Sequence, residues 1–255
     1  MASFASVNAT RPVYVASDVH LGATPPEQER AFLAWLEHAA SEAGRIVLNG
    51  DLFDFWFEYL WGPTRGYDEV LGRLRGVVDS GVPVTLMGGN HDWWGGRFLT
   101  EEVGLEFLRA PVTRELAGHR TLLAHGDGLG RGDLGYRLMR PVLRSTLTCW
   151  AFRLLPPALG DRVAGRASRT EQRWSGPSER QKARARALEE WAVATLETRP
   201  DLDLIILGHA HVPAFVEVAP GRWYVNAGDW VFRRTYLVLE PGRDPLLTEW
   251  GATCP

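Results

Sequence analysis

The sequence predicts a layered α/β domain built on a mixed sheet or a pair of sheets and interrupted by a helical insertion. Three observations carry this. Short apolar runs bounded by turn residues recur along the chain, at Val13 to Ala16, Ile46 to Leu48, Val84 to Met87, Thr121 to Ala124, Leu204 to Leu207, Trp223 to Val225 and Tyr236 to Leu239. Continuous apolar runs of that length read as strands buried on both faces. Helical periodicity fills the gaps between the early runs, over Glu27 to Ser41 with Phe32, Leu33, Trp35 and Leu36, and over Tyr67 to Ser80 with Val70, Leu71, Leu74 and Val78. Short glycine-containing turns, Ala117-Gly118-His119 and Ala219-Pro220-Gly221-Arg222, then mark hairpins in the second half. The order is βαβαβ followed mostly by β.

The segment from Arg131 to Arg186 breaks this rhythm. It offers no convincing strand and carries a net charge of +9 in a chain of net charge −3, so the rest of the chain carries −12. Leu138, Met139, Leu143, Leu147, Trp150, Phe152, Leu154 and Leu155, interrupted by Pro156-Pro157, read as two or three short amphipathic helices. The chain therefore divides into a core of residues 1–130 and 187–255 and an apolar, basic insertion of residues 131–186.

Composition bounds the remainder. With 255 residues, 45% hydrophobic and 23% charged, the chain has enough apolar content for a substantial core. Two cysteines, Cys149 and Cys254, form neither a disulfide framework nor a metal spacing, which fits a reducing compartment. The first 20 residues lack a basic stretch followed by an apolar one, and no run approaches a membrane span. The expectation is a cytoplasmic protein.

Five short polar boxes each follow a strand-like run: Asp18-Val19-His20, Gly50-Asp51-Leu52-Phe53-Asp54, Gly89-Asn90-His91-Asp92, His125-Gly126-Asp127 and Gly208-His209-Ala210-His211. Residues beyond the carboxyl ends of strands converge on one crevice in α/β sheets. Asp18 and His20 are two apart, as are His209 and His211, so each pair can point to one side of an extended backbone. Imidazole nitrogen with carboxylate and amide oxygen suits Mn, Fe, Zn or Co, whereas calcium prefers oxygen alone. Seven candidate ligands, Asp18, His20, Asp51, Asn90, His125, His209 and His211, are too many for one tetrahedral ion and suit two, with Asp51 as the bridge. Two such ions clamp attacking and leaving oxygens in a phosphoryl displacement, so phosphoester or phosphoanhydride hydrolysis is expected. Asp51 and Asn90 hold the reacting centre together, and His91 is the unliganded imidazole that stabilises developing charge or protonates the leaving oxygen. Asp92 is expected to orient His91, and Asp54 or Asp127 to support the ligands, with helix capping the other reading for Asp54. His38 and His119 are expected to be solvated or capping residues.

The order D-x-H, G-D, G-N-H-D, H-G, G-H-x-H is similar to that of the calcineurin-like metallophosphoesterases. GDLFDFWFEY following DVHLG, then HGDGLGRGDLGYR and the insertion, resembles the UDP-2,3-diacylglucosamine hydrolases of lipid A biosynthesis. The resemblance implies a β-sandwich flanked by helices, with the insertion as a helical cap. It implies Asp18, His20, Asp51 and His211 on one manganese ion, and Asp51, Asn90, His125 and His209 on the second. It implies hydrolysis of the pyrophosphate of UDP-2,3-diacylglucosamine to UMP and 2,3-diacylglucosamine 1-phosphate (lipid X), with Asp133 and Tyr136 lining the sugar-nucleotide site. One position departs: the proteobacterial branch has arginine where this chain has His91, so the role of that arginine does not carry over.

The insertion suits a lipid on physical grounds of its own. Leu138, Met139, Leu143, Trp150 and Phe152 offer apolar surface for acyl chains, and Arg137, Arg140, Arg144 and Arg153 offer guanidinium groups for phosphates or an anionic bilayer. A basic amphipathic patch without a spanning segment predicts peripheral contact with the inner face of the cell membrane. The alternatives are a soluble phosphodiesterase or phosphatase with another substrate, a binding module without catalysis, and a nuclease. The apolar content of the basic segment speaks against nucleic acid as a partner.

Overall fold

The structure, a computed structural model, describes residues 10–132, 134–157, 159–160 and 176–251. In chain order, β1 (Val13–Ala16) leads into α1 (Pro26–Glu42), β2 (Arg45–Leu48), a two-stranded hairpin of β3 (Glu58–Tyr59) and β4 (Gly62–Pro63), α2 (Asp68–Asp79) and β5 (Val84–Met87). A π-helical turn over Phe98–Glu102 and β6 (Glu106–Leu108) follow, then β7 (Val112–Leu116) and β8 (His119–Leu123). The insertion contributes α3 (Leu134–Leu143), α4 (Thr146–Arg153) and the start of α5 (Glu179–Thr198), before β9 (Leu204–Leu207), β10 (Ala214–Ala219), β11 (Arg222–Asn226), β12 (Thr235–Leu239) and β13 (Leu246–Glu249). Each of the seven apolar runs is a strand. The short polar or mixed strands β3, β4, β6, β7 and β13 carry too little apolar pattern to stand out in the sequence.

The strands form a six-stranded sheet in the order β13-β12-β1-β2-β5-β6 and a five-stranded sheet in the order β10-β11-β9-β8-β7. The period of two along each strand sorts side chains between layers. Val13, Val15, Val47 and Met87 of the first sheet meet Leu123, Leu204, Ile206, Trp223 and Val225 of the second in one apolar cluster between the sheets. The alternate residues, Tyr14, Ala16, Ile46, Leu48, Val84 and Leu86, pack outward on Phe32, Trp35 and Leu36 of α1 and Val70, Leu71 and Leu74 of α2. On the other outer face, Ile205, Leu207 and Tyr224 receive Leu188, Ala192 and Leu196 of α5. The result is four layers, helices on both sides of a sandwich.

Local chemistry sets the element ends. Pro25 and Pro26 open α1, where a missing N–H costs nothing. Ser178 and Gln181 cap α5 reciprocally. Ala117 and Gly118, at φ 50° and 89°, make the two-residue turn between β7 and β8. The boundary drawn after Arg186 falls inside α5, which begins in the insertion and ends on the core.

Strands β1, β2 and β5 run parallel, as do β8, β9 and β11. Their carboxyl ends therefore gather at one end of the sandwich. The five polar boxes begin there.

Candidate metal centre

Asp18 and His20 follow β1, Asp51 follows β2, Asn90 follows β5, His125 follows β8, and His209 with His211 follow β9. All but Asn90, which is half-buried, are at most 9% exposed. Among the described residues seven non-glycine positions have positive φ, and five are Asp18, His20, Asp51, His209 and His211, at 52° to 65°. Each left-handed residue with a Cβ costs roughly 1 to 2 kcal/mol. Strain of this kind persists where function fixes the side-chain direction.

Glycines make the space. A Cβ on Gly50 would lie 2.2 Å from His125 Nδ1, one on Gly89 2.1 Å from Asp51 Oδ1, and one on Gly208 2.5 Å from Asp18 Oδ2. The glycines of three boxes thus let ligand side chains from neighbouring loops lie against the backbone.

Two groups of donor atoms draw on the expected ligands: Asp18, His20 and His211 make one, and Asp51, His125 and His209 the other; a third, His20, Asp54 and His91, shares His20 with the first, and the atoms of each group lie within 4.8 Å of one another. His20 Nε2 and His211 Nε2 face each other at 3.2 Å, and His211 Nε2 is 3.3 Å from Asp18 Oδ1. Asp51 Oδ2 lies 3.3 Å from His125 Nε2 and 3.8 Å from His20 Nε2, so this carboxylate spans the two groups. His125 Nδ1 donates to the Asn49 carbonyl at 2.9 Å, which turns Nε2 toward Asp51. Asn90 Oδ1 is buried without a hydrogen-bond donor.

The electrostatics ask for cations. Burial raises the Asp18 carboxyl to about 7, with the neighbouring Asp51 charge adding to the effect. Burial alone would also raise Asp51, but the imidazoles of His125, His91 and His20 hold it well below the usual carboxylate range. Burial opposes charge on His125, yet Asp51 drives its pKa well above the usual imidazole value. Facing imidazole nitrogens, an orphaned amide oxygen and a bridging carboxylate fit two divalent ions. The clusters form a candidate dinuclear divalent-metal site.

The residues around the candidate ligands correct one expectation. Asp92 does not orient His91. Its carboxylate accepts from the backbone N–H groups of Gly89 at 2.8 Å, Leu52 at 2.7 Å, Asp51 at 3.3 Å and Phe53 at 3.4 Å, holding the Asp51 loop on the third box. Asp54 faces His91 instead: His91 Nδ1 donates to the Asp54 carbonyl at 2.6 Å, and the Asp54 carboxylate is 3.6 Å from both His91 Nδ1 and His20 Nδ1. His38 and His119 are both half-exposed, and each also lies against an aromatic ring. His38 lies against Trp250 and edge-on to Tyr14, and His119 opens β8 edge-on to Trp223.

Asp127 reaches away from the ligands to the insertion. Its carboxylate accepts from Tyr136 Oη at 2.9 Å and Arg144 Nη2 at 2.7 Å, and its carbonyl accepts from Arg140 Nη1 at 3.1 Å. Tyr136 thereby lies with its ring 6.5 Å from that of His209. Arg137 is exposed on α3, while Asp133 lies outside the described residues, as does Cys254. Phe152 packs among Phe55, Phe57 and Tyr59 and Leu143 is half-buried, whereas Leu138, Met139 and Trp150 are 78%, 56% and 59% exposed. The apolar set is therefore divided between packing and open surface.

Sequence reasoning missed Arg184. From α5 it donates to His209 Nε2 at 3.0 Å, but in a run of basic residues nothing distinguishes it. It also missed the exposed hairpin tip Leu60-Trp61, whose Leu60 N–H donates to the Arg153 carbonyl at 3.0 Å.

Comparison with known proteins agrees with this geometry. A family model described as calcineurin-like phosphoesterase matches residues 11–213. The UDP-2,3-diacylglucosamine hydrolase of Porphyromonas gingivalis is 32% identical over 248 residues, covering 89% of this chain and 94% of the relative. The protein of that name from Aeromonas hydrophila is 30% identical, with 90% and 95% covered, and that from Pseudomonas paraeruginosa 34% identical, with 84% and 89% covered. Among solved structures, Vacuolar Protein Sorting 29 from Cryptosporidium parvum matches with a TM-score of 0.46 at 13% identity over 94% of this chain and 97% of its own. A dimetal phosphatase from Danio rerio matches with a TM-score of 0.43 at 10% identity over 95% and 99%. With the family model spanning most of the sequence and relatives aligned along nearly all of it, the chain belongs to the calcineurin-like phosphoesterases and is a hydrolase.

Proposed function

We propose that the protein hydrolyses the pyrophosphate of UDP-2,3-diacylglucosamine to UMP and 2,3-diacylglucosamine 1-phosphate, the substrate named for its relatives. The observation that carries this reading is the apolar, arginine-bearing insertion anchored to the metal centre through Asp127. A soluble diesterase needs no such surface.

Asp18, His20, Asp51 and His211 would hold one divalent ion, and Asp51, Asn90, His125 and His209 the other, with manganese the first candidate. When bound, the pair supplies charge neutralisation at the phosphate oxygens and a more acidic water. The water oxygen bonds to the uridylyl phosphorus while the bond from that phosphorus to the bridging oxygen breaks, and the bridging oxygen leaves on the lipid phosphate. His91 is the catalytic imidazole of this chain. With Nδ1–H donating to the Asp54 carbonyl, Nε2 is the ring nitrogen left for the substrate, and the imidazolium form would deliver its Nε2 proton to the leaving oxygen and return to the neutral ring. Asp51 keeps the two ligand groups in register, and Asp92 keeps Asp51 in place through backbone amides.

Residues 131–186 act as a cap that selects the substrate. Tyr136, Arg137 and Arg140, with Asp133, contact the sugar nucleotide. The exposed Leu138, Met139, Leu147 and Trp150 contact acyl chains and the inner surface of the membrane, which the protein meets peripherally. Among the described residues no helix is long and apolar enough to cross a membrane.

The test is turnover of UDP-2,3-diacylglucosamine by purified, Mn²⁺-supplemented protein in ¹⁸O water. Labelled UMP with unlabelled lipid X is the expected result. Intact hydrolysis of bis(p-nitrophenyl) phosphate without lipid turnover would remove the lipid assignment.

A further inference from the structure

Resting on the pyrophosphatase reading, we propose that the cavity beside His211 is the uridine site, with the Phe232 ring as the platform for a single pyrimidine. The cavity, about 140 Å³, is lined by His211, Val212, Pro213, Asp229, Phe232 and Arg233, with Pro177 just ahead of α5 completing the wall. A cavity of roughly 150 Å³ accepts one six-membered ring, whereas a drug-sized ligand needs about 300 Å³ or more. The space suits one six-membered aromatic ring.

Its position splits the substrate in two. Tyr136 of α3 adjoins His209, in the group with Asp51 and His125, whereas the cavity, with Pro177 of the insertion in its wall, adjoins His211, in the group with Asp18 and His20. A sugar nucleotide whose pyrophosphate lies across those groups has its sugar phosphate toward Tyr136 and its uridine toward the cavity.

The wall is pre-formed. Asp229, Phe232 and Arg233 lie on the loop from Asn226 to Thr235 after β11, at the same end of the sandwich as the candidate ligands. Trp230 N–H donates to the Asp18 carbonyl at 3.1 Å, Gln28 Nε2 donates to the Val231 carbonyl at 3.1 Å, and Phe232 N–H donates to Asp229 Oδ1 at 2.6 Å. Arg233, exposed beside Phe232, is held by an ion pair with Glu249 of β13 at 3.5 Å.

The experiment measures UMP, ribose 5-phosphate and AMP as inhibitors of bis(p-nitrophenyl) phosphate hydrolysis by the Mn²⁺-loaded protein. Base stacking on an aromatic ring contributes enough for about a ten-fold effect. UMP should inhibit at least ten-fold more tightly than ribose 5-phosphate, with AMP no better than the sugar phosphate. Phe232→Ala should erase the ratio of UMP to ribose 5-phosphate constants and Phe232→Tyr should keep it; a ratio is insensitive to general loss of activity. A wild-type ratio near one, or an unchanged ratio in Phe232→Ala, overturns the assignment. A high, Phe232-dependent ratio without turnover of UDP-2,3-diacylglucosamine would keep the pyrimidine site and remove the lipid substrate. Turnover of that substrate with a ratio near one would do the reverse.

Discussion

The metal centre and the cap solve opposite problems. Around the centre nearly every polar side chain is buried, its direction is fixed by left-handed backbone, and its neighbours are glycines that yield space. In the cap α4 has no buried residue, and Leu138, Met139, Val142, Leu147, Trp150 and Leu154 lie open at 48% to 78% exposure. A soluble surface seldom carries so much apolar area without a purpose. Under the proposed function, rigidity belongs where a phosphorus must be held within tenths of an ångström, and open apolar surface where flexible acyl chains would be gathered. The two regions meet at Asp127, which follows ligand His125 by two residues and holds Tyr136 and Arg144 of the cap.

Substitutions should separate the regions, beginning with the largest effect. Asp51→Ala removes the carboxylate that spans both ligand groups, so metal retained after dialysis and turnover of any diester should both fall to background. Substantial residual turnover would sink the two-ion account. His91→Ala should leave metal content near normal while lowering turnover by roughly 10² to 10⁴ fold, and metal loss measured by elemental analysis would make His91 a ligand instead. Asp92→Ala should act without touching substrate. Loss of an acceptor for buried amides costs about 1 to 3 kcal/mol, and loss of support for a ligand roughly 10 to 100 fold in metal affinity, read by thermal unfolding and Mn²⁺ titration. A normal affinity would mean that the Asp51 loop holds itself.

In the cap, Met139→Ser with Trp150→Ser should change stability by only about 0.5 kcal/mol, since both are exposed, while lowering the ratio of acylated-substrate to small-diester turnover. An unchanged ratio would reduce these residues to ornament. A carboxylate remote from both regions supplies the smallest effect. Arg114 holds Glu106 at about 2 against an ordinary 4.5, partly offset by burial, with Thr85 and Arg45 adding to the pull. A depressed acid stabilises above its unfolded pKa, so this contribution is complete above about pH 4.5 and fades as pH falls toward 2. Because the Glu106 carboxylate is 43% exposed and screened by solvent, the pair is worth under about 1 kcal/mol, measurable as a pH-dependent difference between wild type and Glu106→Gln.

Much of this was legible in the sequence because the informative residues are local. Strands such as Val84–Met87 announce themselves by unbroken apolar runs, and the ligands lie within a few residues of strand ends. What escaped was set by partners distant in the chain. Asp92 next to His91 reads as its orienting group, but its acceptors are claimed by amides some 40 residues earlier, and Asp54 takes the role. Arg184 is indistinguishable from Arg180 or Arg186 until α5 is wound and one face meets His209. The strand Glu106–Leu108 is stabilised by pairing with β5 rather than by its own pattern.

The central claim is that the buried centre performs the chemistry and the open cap chooses the lipid. The ratio of kcat/KM for UDP-2,3-diacylglucosamine to that for the same sugar nucleotide without acyl chains tests it most directly. Burial of acyl methylenes at about 0.8 kcal/mol each predicts a preference of at least 100-fold for the acylated substrate, even after only a few methylenes are covered. Equal values for the two would contradict the account and leave the cap without a part in recognition.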